Sequence, residues 1–316
     1  MSLIIRVSAA VFAVTLASAQ VPTIIGGGYT PPQAVFAAPG QVMTFFVAGV
    51  GKHLTREPLV ASAPLPVSLA GIELTLHQEV EPTKVSVPII GAMLMDTCAS
   101  IRNTPCNGTR IAALTVQIPF ELSIAPLNGH PGEWGEAILR ISEDRVTSGD
   151  FLITAVASNV HFMTSPSPIA WDVRLDGPRR ASVFHIDGTQ VSPGKPARAG
   201  ETLVVYGYGF GRPMKAVKTG EAPQQANPVS GYGELKFLAL LPETSGAIDG
   251  TGPAIGLYVS YIGVTPGAVG VYQINFTVPP VPSGIQRCGG VTATPWNFMV
   301  TYDDASSNSF ALCVEP

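Results

Sequence analysis

Ala37-Ala38-Pro39-Gly40-Gln41-Val42-Met43-Thr44-Phe45-Phe46-Val47-Ala48-Gly49-Val50-Gly51 opens on a turn, runs through a β-branched and aromatic stretch, and closes on Gly-x-Gly. Such a run between turn residues is a strand signal. The closing glycines suit a tight turn with φ above zero, where a Cβ would clash. The same design returns 160 positions on, as Ala197-Arg198-Ala199-Gly200-Glu201-Thr202-Leu203-Val204-Val205-Tyr206-Gly207-Tyr208-Gly209-Phe210-Gly211. That spacing also aligns Ile118-Pro119 with Val278-Pro279, and Glu143-Asp144 with Asp303-Asp304. The prolines mark strand ends, since they lack a ladder donor, and the acidic pairs fall where hairpin turns are expected. Matches this far apart in one register predict a duplicated unit.

Working outward, short runs rich in Val, Ile, Thr, Phe and Tyr recur between Gly, Pro and Asn-Gly signals. They span 41–48, 71–77, 113–118, 137–141, 151–156, 202–206, 257–262, 272–278 and 297–302. In the last, Trp296, Phe298 and Val300 alternate with Asn297, Met299 and Thr301, the period of a half-buried strand. Helix-compatible stretches, such as 233–241, are few and short. The expected fold is all-β, two tandem immunoglobulin-like β-sandwich domains. The divisions predicted are a signal peptide over 1–19, a first sandwich over 20–172, a linker over 173–180 and a second sandwich over 181–316. The linker is placed by the breaker Asp176-Gly177-Pro178.

Charged residues make up 13% of the 316 and the formal net charge is −4, which leaves no electrostatic footprint for nucleic acid. A hydrophobic fraction of 46% suffices for packed cores. At the N-terminus, Arg6, the apolar run Val7 to Leu16 and Ala17-Ser18-Ala19 match a secretory signal cleaved before Gln20. No later stretch is long and apolar enough for a transmembrane helix, so secretion to the periplasm or beyond is the expectation.

Four cysteines fit an oxidising compartment. Of the three connectivities they allow, the local one, Cys98–Cys106 with Cys288–Cys313, is the simplest. Neither pair has the C-x-x-C spacing or a neighbouring His that zinc would favour.

Val191-Ser192-Pro193, Pro196-Ala197-Arg198-Ala199-Gly200-Glu201 and Val205-Tyr206-Gly207-Tyr208-Gly209-Phe210-Gly211 resemble the opening of the Solibacter-type uncharacterised C-terminal domain family, found in secreted acidobacterial proteins. Gly267-Ala268-Val269-Gly270-Val271-Tyr272-Gln273-Ile274-Asn275-Phe276-Thr277-Val278-Pro279 is similar to its later block, and Ser306 to Val314 to its end. The first half carries the likeness more faintly, in Ala38-Pro39-Gly40-Gln41-Val42 and Gln117-Ile118-Pro119-Phe120. The resemblance implies a TIG-like, immunoglobulin-like sandwich on an exported protein, and it brings no activity and no functional residues with it.

Chemical sites are sparse. Gly207-x-Gly209-x-Gly211 is followed by Arg212-Pro213, not the spacing and helix of a dinucleotide fingerprint. His53, His77, His130, His161 and His185 form no H-x-H or H-E-x-x-H pair. No G-x-S-x-G elbow exists, and Glu133 with Glu136, like Asp303-Asp304, lacks calcium-loop spacing. No catalytic, metal or cofactor residue is therefore expected. The recognition candidates are aromatics near loops: Trp134, Trp171, Trp296, Tyr206, Tyr208, Tyr232, Tyr258 and Tyr261. Trp134, inside Gly132-Glu133-Trp134-Gly135, is the best surface candidate among them.

The expected function is a secreted, non-catalytic adhesive or structural module with an extracellular protein or polysaccharide as partner. A carbohydrate-binding protein using loop aromatics is the alternative, and a secreted hydrolase ranks last. Exposed edge strands leave self-association open.

Overall fold

The structure is a computed structural model and describes residues 21–27, 35–79, 83–95, 110–125, 135–165, 180–181, 183–229, 237–240, 254–281, 288, 298–302 and 310–315. Every regular element among them is a strand. The first sheet orders β1 (Thr23–Gly27), β3 (Val42–Ala48), β9 (Ile111–Gln117), β8 (Ile89–Leu94) and β4 (Leu59–Val60). The second orders β2 (Phe36–Ala37), β12 (Phe151–Ala155), β10 (Gly135–Glu143), β6 (Ile72–Gln78) and β5 (Ser68–Leu69), with β7 (Thr83–Ser86) on β6 and β11 (Val146–Thr147) on β10. The third holds β13 (His161–Phe162), β17 (Thr202–Tyr208), β22 (Tyr272–Thr277), β21 (Tyr258–Val264) and β18 (Asn227–Pro228), with β16 (Val183–His185) also on β17. The fourth runs β14 (Thr164–Ser165), β15 (Arg180–Ala181), β24 (Phe310–Leu312), β23 (Phe298–Tyr302), β19 (Phe237–Leu240) and β20 (Ala254–Gly256).

The period-2 patterning drives this arrangement. Along β10 the buried positions are Gly135, Ala137, Leu139, Ile141 and Glu143, and along β22 they are Tyr272, Ile274 and Phe276. Each sheet thus has one apolar face to hide, and two sheets facing each other hide both. Phe45, Leu74, Leu114, Leu139 and Ile153 belong to the core of the first pair. Phe162, Tyr272, Phe276, Phe298 and Phe310 belong to that of the second. The architecture is an all-β, immunoglobulin-like sandwich in each half.

The two halves share details of register. Val42 pairs with Gln117 and Thr202 with Thr277, so the central strand pairs align residue for residue. A bulge interrupts β8 between Ile89 and Gly91, opposite Val116 and Thr115. One interrupts β21 between Val259 and Tyr261, opposite Phe276 and Asn275. Gly40 N donates to Ile118 O at 3.0 Å, and Gly200 N to Val278 O at 2.8 Å. Ala38 N donates to Gln41 Oε1 at 2.7 Å, and Arg198 N to Glu201 Oε2 at 2.9 Å. The glycines at 40, 49 and 51 have φ of 77°, 81° and 98°, and those at 200, 209 and 211 have 80°, 78° and 83°.

Residues 161–165, assigned above to the first sandwich, pair through β13 with β17 and through β14 with β15, so the chain changes sheets between Ala155 and His161. The Asp-Gly-Pro breaker lies between β14 and β15, strands of one sheet, and Arg180 of the expected linker is already in β15. The helix-compatible stretch 233–241 contains strand β19, where pairing with β20 and β23 overrides the helical preference of Leu and Ala. The hairpin turn expected at Glu143-Asp144 is present, with Asp144 and Arg145 at φ of 51° and 70°.

Cys288 and Cys313 are bonded, their Cα atoms 5.7 Å apart. Cys313 is buried directly after β24, and its carbonyl accepts from Ala197 N at 2.9 Å. The bond therefore ties the last strand to a segment ahead of β23. Cys98 and Cys106 lie outside the described residues, as do residues 1–20 with the expected signal. Replacing Cys288 and Cys313 together by Ser should lower the second sandwich's stability by about 2–4 kcal/mol. Thermal denaturation should report that loss, and a non-reducing peptide map should recover the linked pair. A map linking Cys288 to Cys98 would contradict the assignment.

Candidate functional site

The candidate residues scatter. Trp134, Trp171, Trp296, Tyr232, His130, Glu133 and Asp303-Asp304 lie outside the described residues. His53 is exposed, with Nε2 3.9 Å from Asp144 Oδ1, and the Lys52 ammonium, 2.8 Å away, holds the Asp144 carboxyl below its usual range. His77 sits opposite Ile138 and Lys84 in the second sheet, and Glu136 is exposed on β10. His161 Nδ1 is 3.3 Å from Asn159 O. The buried His185 places Nδ1 2.5 Å from Glu201 Oε1 and Nε2 3.2 Å from Lys195 O. Among the described residues no three His, Cys, Asp or Glu side chains gather where a metal ion could sit. Two other features stand out, a joint and a groove.

The joint is where the Gly207-x-Gly209-x-Gly211 turn of the second sandwich meets the first. Asn159 N donates to Gly209 O at 2.8 Å, and Asn159 Nδ2 donates to Phe36 O at 2.7 Å and reaches Gln41 Oε1 at 3.4 Å. A Cβ on Gly209 would fall 2.0 Å from Asn159 O, so only glycine allows this approach. On the far side Gly220 N donates to Gln117 Oε1 at 2.7 Å, and Leu65 N to Gly220 O at 2.8 Å. Arg212 adds Nε to Phe120 O at 2.9 Å and Nη2 to Leu122 O at 2.7 Å. Gln41 and Gln117 are fully buried, and Asn159 nearly so. The Tyr272 hydroxyl, from inside the second core, donates to Gly211 O and so fixes the turn from behind. Burial raises the Tyr272 phenol strongly, and it pushes Tyr208 up to about 12.

The groove, of about 390 Å³, opens on the outer face of the third sheet. Phe184, Val204 and Asn275 lie in one cross-strand row, and Tyr206 pairs with Gln273 in the next. The Phe184 and Tyr206 rings meet edge to face, with centroids 6.0 Å apart. Ile186 and Gly188, from the turn after β16, form the rim. Asp187 holds that turn: Oδ1 accepts from Thr189 N at 2.9 Å and Thr189 Oγ1 at 2.6 Å, and Oδ2 from Lys195 Nζ at 2.8 Å. The Lys195 ammonium foremost, with Thr189, holds the Asp187 carboxyl far below its ordinary range. Of the groove's side chains, the sequence singled out only Tyr206 and His185 as candidate site residues. The signal for the rest was the alternation in Tyr272-Gln273-Ile274-Asn275, which sends its apolar members into the core and its amides to the outer face.

No protein-family model and no curated protein sequence matches the chain. Among solved structures, one similar chain is FdeC, an Escherichia coli adhesin, at 11% identity and TM-score 0.20, with 95% of this chain covered. The chain spans 65% of the FdeC chain. Another is the sialic acid binding region of a Streptococcus sanguinis SK1 adhesin bound to 3'sLn, at 13% identity and TM-score 0.16, covering 94% of this chain and 77% of that one. The C-terminal domain of the Streptococcus agalactiae AgI/II polypeptide BspA gives 9% identity and TM-score 0.18, covering 90% and 96%. TM-scores this low mark no common superposition of whole backbones. Among the described residues no helix is long and apolar enough to cross a membrane.

The joint should make the two sandwiches unfold as one unit. Urea denaturation of the intact chain should give one transition, and Gly209→Ala, which forces the joint apart, should split it into two. A Gly209→Ala variant that unfolds once, at the unaltered midpoint, would show that the joint couples nothing. The buried phenols predict an alkaline limit. A phenol whose pKa rises on folding leaves stability intact below its unfolded value of about 10 and weakens the fold as pH climbs toward the folded value. Absorbance titration should therefore show Tyr208 and Tyr272 ionising only as the fold is lost.

Proposed function

We propose that the chain is an exported, non-catalytic adhesive or structural module of the cell surface or extracellular matrix, made by duplication of one immunoglobulin-like sandwich. The joint carries this reading. A protein whose task is to hold surfaces in a set orientation needs its domains locked, and here buried amides and closely packed glycines lock them. The shared register, bulges and glycine conformations support the duplication. Export is supported by the Cys288–Cys313 bond, which persists outside the reducing cytosol, and by the signal expected over residues 1–19. The resemblance to the Solibacter-type family points the same way. The partner class is an extracellular protein or polysaccharide, and self-association through sheet edges stays compatible with this role.

Fractionation of the source cells followed by N-terminal sequencing should find the chain outside the cytoplasm, beginning at Gln20. Beads coated with that mature chain should be retained on source-cell surfaces or matrix more than albumin-coated beads. Recovery of a reduced chain from the cytoplasm with Met1 intact, or equal retention of both bead types, would overturn the proposal. Turnover of a polymeric substrate by the purified chain would replace it with the hydrolase reading.

A further inference from the structure

We infer that the groove on the outer face of the third sheet binds an uncharged sugar ring of a glycan. This rests on the adhesive reading and gives it a site. The sequence pointed to aromatics near loops, Tyr206 among them, and Tyr206 stands on a sheet face.

Three observations select the ligand class. The first is charge. Phe184, Ile186, Gly188, Val204, Tyr206, Gln273 and Asn275 carry none. His185, the remaining lining residue, is buried with both ring nitrogens held by Glu201 and the Lys195 carbonyl. The neighbouring Asp187 and Lys195 neutralise each other at 2.8 Å. A phosphate, a nucleic acid strand or an acidic sugar would find no counter-charge here, and a desolvated ion without one binds poorly.

The second is the aromatic pair. Phe184 and Tyr206 are half-buried and stand at an interplanar angle of 65°, so a flat ligand laid on one ring meets the other as a side wall. The C–H face of a pyranose is apolar and flat, and it suits the electron-rich face of a ring.

The third is the amide pair on the floor. Gln273 Nε2 donates to Asn275 Oδ1 at 2.8 Å. That bond leaves Gln273 Oε1 as an acceptor and Asn275 Nδ2 as a donor, neither with another protein partner among the described residues. Flipping both amides exchanges their roles and still leaves one donor beside one acceptor. Adjacent hydroxyls on a sugar, each able to donate and accept, match that pair. A proline-rich peptide, the other usual occupant of an aromatic groove, presents carbonyl acceptors and few donors, and would leave the acceptor unmet. The volume of about 390 Å³ falls at the lower end of the roughly 300–1,000 Å³ of small-ligand sites, as a site for one or two rings should.

The test uses the full mature chain on an array of neutral gluco-, galacto- and manno-oligosaccharides, with calorimetry on the strongest hit. Tyr206→Ala and Gln273→Ala should each weaken binding about tenfold or more, through loss of the stack or of the hydroxyl contact. Tyr258→Ala, exposed on β21 and not part of the groove lining, should leave it within about twofold. Should Tyr206→Ala fail to fold, Tyr206→Leu keeps bulk without the ring and must show the same loss. Absence of any neutral-glycan hit overturns the inference, as does binding that survives both groove substitutions, or preference for a proline-rich peptide probe. The bead assay separates this failure from failure of the adhesive reading. Beads carrying Gln273→Ala that adhere as well as the unaltered chain remove the groove and keep the adhesive module, whereas unaltered beads that adhere nowhere remove both.

Discussion

Two glutamine side chains without exposed surface, Gln41 and Gln117, decide how the sandwiches meet. A primary amide taken out of water costs free energy unless its bonds are replaced. Gln41 Oε1 accepts from Ala38 N in its own turn and is approached by Asn159 Nδ2, while Gln117 Oε1 accepts from Gly220 N across the joint. The Gln117 bond exists only when the second sandwich is docked, so undocking exposes an interface that is polar but specific. Gln117 Nε2 is buried with no hydrogen-bond partner among the described residues. At the position 160 residues after Gln41 stands Glu201, partly exposed and bonded to His185 and Arg198 N. The same turn carries a neutral amide where the joint covers it and a carboxylate where solvent reaches it, as the desolvation penalty of a charge requires.

The sheets were legible because their signals are local. Alternation along Tyr272 to Thr277, β-branched runs at 42–48 and 202–208, and Gly-x-Gly closures each state a strand or a turn without reference to the rest of the chain. β19 was less legible, since Phe237-Leu238-Ala239-Leu240 suits a helix equally and only its two neighbours settle the matter. β8 and β16 carried too little pattern: one is a continuous apolar run, the other three residues long. The change of sheet between Ala155 and His161 is not marked locally, since it falls at a plain stretch without a breaker.

The sites were far less legible, for a reason of distance along the chain. Phe184, Tyr206 and Gln273 come from three strands, and nothing in their local sequence says that they share a face. The joint is similar. Gly209 reads as a turn glycine, and its second constraint, the approach of Asn159 O, is set by a residue 50 positions earlier. Local pattern specifies which face of a strand is buried, but only the assembled sheets specify what that face meets.

Joint and groove bear on each other through preorganisation. A shallow groove with one aromatic stack and a single pair of amide contacts gains little from a lone ring once translational and rotational freedom is lost. Two features reduce that cost. Asp187, bonded to Thr189 and Lys195, fixes the rim before any ligand arrives, and the groove floor belongs to β17 and β22, the central strands of their sheet. On the adhesive reading proposed above, many copies facing a polymer would turn weak single contacts into avidity, provided their geometry permits simultaneous engagement. A swinging second sandwich would spread the groove over many orientations and lower the effective concentration at each. The hydrogen bonds of Asn159, Gln117 and Arg212 hold that orientation against the first sandwich. On this argument the buried amides matter to recognition as much as to folding, since they fix the angle at which a weak site faces its target.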